Sequence, residues 1–87
     1  FTFESAGVPV GALVQFVREP SFQATVVNEN EVEFEGNRTK LSPLARILFE
    51  RVGQGNASGA YQGPLYFSYE DEILSERRRR LAKEESE

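Results

Sequence analysis

The sequence predicts a small α+β domain in which a mostly antiparallel sheet of three to five strands packs against one central helix. Three observations support this class. The stretch from Ser42 to Gly53 shows a helix start, an apolar stripe and a helix stop in that order. Short segments before it alternate apolar and polar residues, which is typical of half-buried strands. An aromatic segment after it has the length of one more strand. The 87 residues suffice for one compact core.

The central helix has clear end signals. Ser42 is predicted to cap the free backbone N–H groups, and Pro43 is predicted to take the first helical position, where its missing donor costs nothing. Gly53 stands where a left-handed C-terminal residue is favoured. Apolar residues at three- and four-residue spacing are predicted to form one buried face; they are Leu44, Ile47, Leu48, Phe49 and Val52.

The segments before the helix predict a meander of strands. Apolar residues on both faces of the Ala12 to Arg18 segment predict a strand that is covered on both sides for part of its length. The remaining predicted elements are an edge strand or ordered arm (1–6), a turn (19–21), a strand (22–27), a hairpin loop (28–31), a strand (32–35), and a short fourth strand or lead-in (38–41).

After the helix, residues 54–60 predict a flexible loop and residues 65–69 the last strand. Asp71 is predicted to cap a second helix that carries Ile73 and Leu74, with Glu76 and Arg80 paired four residues apart. Residues 83–87 are expected to fray. We therefore expect a single α+β domain over residues 1–70 and a charged C-terminal helix or tail over residues 71–87.

Composition excludes several chemistries. The chain has no Cys and no His, which removes disulfides, thiolate nucleophiles, an imidazole base and the commonest zinc ligand. The carboxylates between Glu29 and Glu35 alternate onto the solvent face of a hairpin, so they do not converge on a pocket. We expect no catalysis, no metal and no cofactor.

The sequence also leads to expectations about where the protein is located and whether the chain is part of a longer protein. No apolar run has the length of a membrane span and no signal peptide is visible, so we expect a cytoplasmic protein without a membrane partner. The chain starts at Phe1 and contains no Met, so we expect a piece of a longer protein.

Charge is unevenly distributed. A net charge of −4 argues against indiscriminate binding to nucleic acid. Four cations nevertheless lie around the start of the helix and predict a phosphate-contacting patch to which Ser42 adds a neutral donor; they are Arg38, Lys40, Arg46 and Arg51. The alternative is a solvated face that balances the neighbouring glutamates, and the net acidity favours it.

Two further groups have a functional and a structural interpretation. The aromatic residues Tyr61, Tyr66, Phe67 and Tyr69 have faces that suit base stacking, but a small core needs such residues, and this favours the core for Tyr66 and Phe67. The basic run from Arg77 to Arg80 suits a nucleic acid or an acidic partner. The favoured alternative is an exposed helix face paired with Glu72, Glu76 and Glu84.

Several short motifs resemble one family. Residues 39–45 (TKLSPLA) resemble the strand-to-helix junction of the restriction-enzyme adenine-methylase-associated (RAMA) domain and its small bacterial relatives. Residues 62–67 (QGPLYF) occupy the place of the family's Asn-Gly-Trp-like turn and final aromatic strand. Residues 8–12 resemble its opening turn, and residues 32–36 resemble its strand-acidic-Gly segment. The family's Trp positions hold Tyr66 or Phe67 here, and the charged tail lies outside the match.

The resemblance implies a non-catalytic accessory domain of a bacterial DNA-modification or nuclease-type protein, which helps to recognise DNA, including modified DNA. Its implied partners are double-stranded DNA and other domains of the parent protein. With Tyr61 and Gln62 from the turn, the candidate nucleic-acid-binding set is Arg38, Lys40, Ser42, Arg46, Arg51, Tyr61 and Gln62. The alternative function is a protein–protein interaction module that uses the aromatic strand edge or the charged tail.

Overall fold

Six short strands form one antiparallel sheet, and two helices complete the chain in the computed structural model, which describes residues 1–54 and 61–85. The strand order is β4-β3-β2-β1-β5-β6. The α+β class is confirmed, with six strands where three to five were expected. The elements are β1 (Leu13–Phe16), β2 (Glu19–Val26), β3 (Val32–Phe34), β4 (Asn37–Thr39), α1 (Leu41–Arg51), β5 (Phe67–Tyr69), β6 (Glu72–Ile73) and α2 (Leu74–Glu85), with short 3-10 helices at Glu4–Ala6 and Gly63–Leu65.

The core lies between one face of the sheet and α1. The ring of Phe16 from β1 meets the ring of Phe49 from α1 edge-on, with centroids 5.0 Å apart. Phe67 from β5 lies beside Phe16 at 5.6 Å. Each fully buried side chain of this size contributes about 1.5–3 kcal/mol to folding. The fully buried large side chains are Phe3, Phe16, Phe67, Leu44, Leu48, Leu74, Val14, Val26 and Val32.

The start of α1 differs from the prediction. The helix begins at Leu41, and Lys40 precedes it in an extended conformation without a side-chain cap. The predicted cap at Ser42 and the predicted first position for Pro43 are therefore wrong, because both residues lie inside the first turn. Leu41 is buried in the core, and this burial favours a helix that already includes Leu41 and Ser42. The capping pattern had placed both residues before the first helical position. Pro43 still costs nothing there, because first-turn N–H groups have no intrahelical partner.

The end of α1 is as predicted. Gly53 has φ = 73°. Its N–H donates to the Glu50 carbonyl at 3.1 Å, and the Gln54 N–H donates to the Phe49 carbonyl at 2.9 Å. These two bonds form a Schellman motif, which closes the last turn.

The buried face of α1 is centred differently from the prediction. Ile47 is 44% exposed, so its assignment to the buried face is wrong. Leu41 and Ala45 are buried with Leu44, Leu48 and Phe49, and they move the centre of the stripe away from Ile47.

The sheet corrects one prediction about β2 and limits one about β1. Leu13 is 51% exposed, whereas Gln15 and Val17 on the same face are half-buried, so the second face of this segment is covered for part of its length only. The predicted turn at residues 19–21 belongs to β2, and the chain turns before it, between Phe16 and Glu19. Pro20 is accommodated because the register jumps there: Gln15 pairs with Gln23, whereas Phe16 pairs with Glu19. The proline therefore lies in a stretch without ladder bonds to β1.

The N-terminal segment is an ordered arm. Phe3 is buried, and its N–H donates to the Glu29 carbonyl at 2.7 Å. The short 3-10 helix Glu4–Ala6 follows, so of the two predicted forms the arm is observed and the edge strand is not.

The C-terminal part of the structure differs more from the sequence prediction than the N-terminal segment does. Asp71 does not cap a helix, because Glu70 and Asp71 form the two-residue turn of the β5–β6 hairpin with φ of 52° and 64°. The helix begins only at Leu74, which is fully buried. The predicted flexible loop lies outside the described residues except for Gln54. The segment that was expected to fray is helical as far as Glu85. The last two residues lie outside the described part of the chain.

Candidate functional site

Two cations of the predicted basic patch are engaged in ion pairs. Arg51 donates from both terminal nitrogens to the Glu35 carboxylate, with Nη1–Oε2 at 2.9 Å. Its guanidinium also lies 5.2 Å from the Phe34 ring centroid. The bond from Arg51 holds the pKa of Glu35 below its ordinary value. Arg46 Nε lies 3.6 Å from Glu50 Oε1, one helical turn away. Arg51 therefore connects α1 to the β3–β4 turn.

The other two cations of the patch are exposed at the junction between β4 and α1. Arg38 is exposed on the edge strand β4, directly opposite Glu33. Lys40 is exposed at the start of α1, where it lines a groove of about 280 Å³. Of the four predicted cations, Arg46 and Arg51 are thus ion-paired, and Lys40 lines a groove.

Ser42 and Gly63 form a joint between the start of α1 and the 3-10 helix Gly63–Leu65. The Gly63 N–H donates to Ser42 Oγ at 3.0 Å. A Cβ built on Gly63 would lie 2.5 Å from Leu41 Cβ and 2.6 Å from the Ser42 nitrogen. Only glycine allows this approach, and it places Pro64 against the first turn of α1.

The aromatic residues mostly serve the core. Tyr61 stacks on Phe49 with centroids 4.7 Å apart and planes 8° apart. Tyr66 meets Phe49 edge-on at 4.9 Å. Phe67 is fully buried and Tyr66 is half-buried, in agreement with the core interpretation of both.

Gln62 is exposed and lines a second groove, which runs between the 3-10 helix and α2 and has a volume of about 610 Å³. Pro64 lines both grooves, and we call them together the Pro64 surface. The larger groove is lined by Ser5, Gln62, Pro64, Leu65, Ser75, Arg78, Arg79 and Ala82. The smaller groove is lined by Phe1, Asn30, Lys40, Leu41, Ser42, Pro43 and Pro64.

The Pro64 surface is electropositive. Three cations line it, namely Lys40, Arg78 and Arg79, and none of its lining residues is Asp or Glu. The Arg78 guanidinium lies 5.4 Å from the Phe1 ring centroid, so a contact also joins the two grooves. Within residues 1–54 and 61–85, neither Lys40 nor Arg79 has an ion-pair partner.

The basic run on α2 divides into two kinds of residue. Arg77 is only 9% exposed: its Nε donates to the Ala6 carbonyl at 2.8 Å and its guanidinium lies over the Tyr69 ring at 5.0 Å. The predicted exposure of Arg77 is therefore wrong. Arg80 pairs with two of the predicted partners, Glu72 and Glu84, at 2.9 and 3.2 Å, and the predicted pair with Glu76 is not observed in the described residues. Arg78 and Arg79 line the larger groove.

Phe1, Arg78 and Arg79 were absent from the sequence-predicted set. The density of the basic run was the one local signal for the two arginines. Their position beside Gln62 and Pro64 depends on how α2 packs, which no local pattern encodes.

The described part of the chain contains no cluster of three or more residues able to hold a metal ion. None of its helices is long and apolar enough to cross a membrane. Comparison with protein-family models, curated proteins and solved structures finds no match to this chain.

Proposed function

We propose that the chain is a non-catalytic accessory module that contacts the phosphate backbone of double-stranded DNA through the Pro64 surface. One observation carries the proposal: Lys40, Arg78 and Arg79 line adjoining grooves without a lining carboxylate, in a chain whose net charge is −4. Such local concentrations of cations are what backbone contacts require.

This proposal moves the contact surface away from the middle of α1. Arg46 and Arg51 already pair with Glu50 and Glu35, so a phosphate would have to displace a carboxylate there. At the Pro64 surface, Lys40 and Arg79 need break no ion pair, and Gln62 supplies an amide donor beside them. The resemblance to the RAMA domain supports a cytoplasmic, bacterial DNA-modification or nuclease-type parent protein, in which this module has a recognition role.

The salt dependence of binding tests the proposal. Three phosphate contacts predict a slope of about −2.7 in log affinity against log salt, which is a loss of roughly 40-fold between about 50 and 200 mM. Fluorescence anisotropy with a labelled duplex of about 20 base pairs measures this slope.

A matched pair of variants locates the contact. Arg79→Ala should weaken binding and reduce the slope by about 0.9, because one phosphate contact is lost. Arg46→Ala removes the same charge from a position outside both grooves and should leave the slope unchanged. Equal effects of the two variants would mean that only net charge matters. Absence of binding at about 50 mM salt would contradict the proposal.

A second candidate function is the docking of another domain of the parent protein. The observation that favours it is the 42% exposure of Leu65, an apolar side chain within the larger groove. The aromatic strand edge is not available for such docking, because β5 pairs with β1 on one side and β6 on the other. Binding that survives high salt and is lost in Leu65→Ala would indicate protein docking.

A further inference from the structure

We infer that the Pro64 surface takes an unpaired nucleotide, whose base stacks at the Phe1–Arg78 contact while its phosphates meet Arg79 and Lys40. The inference rests on the proposed function and names the DNA feature that the surface selects.

The first argument is the shape and lining of the larger groove. Its volume of about 610 Å³ is in the usual range of small-molecule sites. Its walls combine the apolar side chains of Pro64, Leu65 and Ala82 with the polar groups of Gln62 and Ser75. The backbone of a fully paired duplex would contact only the cations. A base that has left the DNA double helix would also contact the apolar walls and the amide group.

The second argument is the aromatic–cation pair where the grooves meet. The Phe1 ring is 40% exposed and is held edge-on against the buried Phe3 ring, with centroids 5.5 Å apart. Arg78 lies over the Phe1 ring at 5.4 Å. An exposed aromatic ring within a positively charged groove is the combination by which proteins bind unpaired bases.

The third argument is charge complementarity. Lys40 lines the smaller groove and Arg79 the larger one, so cations lie on both sides of Pro64. A strand that crosses Pro64 would meet a cation on each side of it. A peptide of acidic residues alone would satisfy the same cations but carries no aromatic ring to stack at Phe1 and Arg78, so the nucleotide fits the surface better.

Two duplexes of the same sequence test the inference, one fully paired and one with a single unpaired adenine. For the wild-type chain we expect the second to bind about tenfold more tightly, as stacking of one base predicts. Phe1→Ala removes the ring, and Ala82→Phe fills the groove from an exposed helical position. In both variants the ratio of the two affinities should fall to about one.

Controls separate the possible outcomes. Ile47→Ala changes an exposed apolar position that lines neither groove, so it should keep the wild-type ratio. A wild-type ratio of one would overturn the inference but leave paired-duplex binding, and so the proposed function, intact. A ratio that persists in Phe1→Ala and Ala82→Phe would also overturn it.

If a glutamate-rich peptide displaces the unpaired DNA as well as a free single strand does, the surface selects charge alone and the inference fails. Absence of binding to either duplex would contradict the proposed function itself.

Discussion

Single residues connect parts of this chain that are far apart in sequence. Gly63 is the clearest case, because its N–H bonds the Ser42 hydroxyl and its Cα lies against the backbone of α1. Ser42 is thus a structural acceptor for a partner 21 residues away, where the capping pattern predicted a helix cap. The same joint positions Pro64 between the two grooves of the candidate site.

Gly63→Ala should destabilise the domain. The new Cβ would lie within 2.6 Å of backbone atoms of Leu41 and Ser42, and backbone cannot rotate away as a side chain can. We expect the free energy of unfolding to fall by roughly 1–3 kcal/mol, the usual cost of overpacking. Urea denaturation measures it, and Gln62→Ala at the exposed neighbouring position should change it by less than about 0.5 kcal/mol. Unchanged stability of Gly63→Ala would show that the close approach is not required.

Neighbouring arginines on α2 should differ in their contribution to stability. Arg77 is buried and bonds the Ala6 carbonyl, so Arg77→Ala should lower the free energy of unfolding by about 2 kcal/mol, as for bonds to charged groups. Arg80 is exposed, and its loss should cost clearly less than the loss of Arg77 although it pairs with two glutamates. Thermal and urea unfolding of the two variants give the comparison. Equal losses would contradict the structural role assigned to Arg77.

At the scale of elements, α2 is an integral part of the fold. Leu74 is fully buried, and Arg77 connects α2 to the N-terminal arm. A chain without residues 71–87 should therefore lose its dispersed amide spectrum. The sequence alone predicted residues 71–87 as a charged helix or tail outside the α+β domain.

A shorter deletion provides the control for that experiment. A chain that ends at Leu81 keeps both Leu74 and Arg77, so it should stay folded and show dispersed amide signals. If the chain without residues 71–87 also stays folded, α2 is an appendage and the account of its packing is wrong.

Elements with local signals could be predicted, and contacts between distant elements could not. The Schellman end of α1 depends on Gly53 and its neighbours, and the β2–β3 hairpin depends on short-range alternation, so both were found. The hairpin turn at Glu70 and Asp71 was missed because Glu70 adopts a left-handed conformation that is uncommon for its side chain, although Asp71 tolerates it. The Pro64 surface was missed for a different reason: its two sides, Lys40 and Arg79, meet only through the packing of α2.

For the whole molecule, ion pairs predict how stability depends on pH. Hydrogen bonds from Arg51 and Arg80 lower the pKa of Glu35 and of Glu72, respectively. A carboxylate whose pKa is lower in the folded state stabilises the fold above its unfolded pKa and loses that contribution as the pH falls through the folded value. The free energy of unfolding should therefore decline below about pH 4.3.

Variants at one ion pair test this dependence. Arg51→Gln removes the charged donor to Glu35 and should flatten the decline between about pH 5 and pH 3, measured by urea unfolding. Arg38→Gln removes a cation without an ion pair in the described residues and should keep the wild-type slope. A steeper decline in Arg51→Gln would contradict the assigned direction of the Glu35 pKa shift.

The cations of this chain include some that pair with its own carboxylates and others that line the Pro64 surface. Arg46, Arg51, Arg77 and Arg80 contact carboxylates of the chain itself, whereas Lys40, Arg78 and Arg79 line the Pro64 surface. A net negative chain can in this way present one cationic surface to a polyanion. We propose that DNA contacts that surface.

A chemical-shift titration of the labelled chain with a short duplex, methylated and unmethylated, tests the claim most directly. At about 50 mM salt we expect the amide shifts to concentrate at Lys40, Gln62, Arg78 and Arg79. Shifts concentrated between Arg46 and Arg51, or no shifts with either duplex, would contradict it.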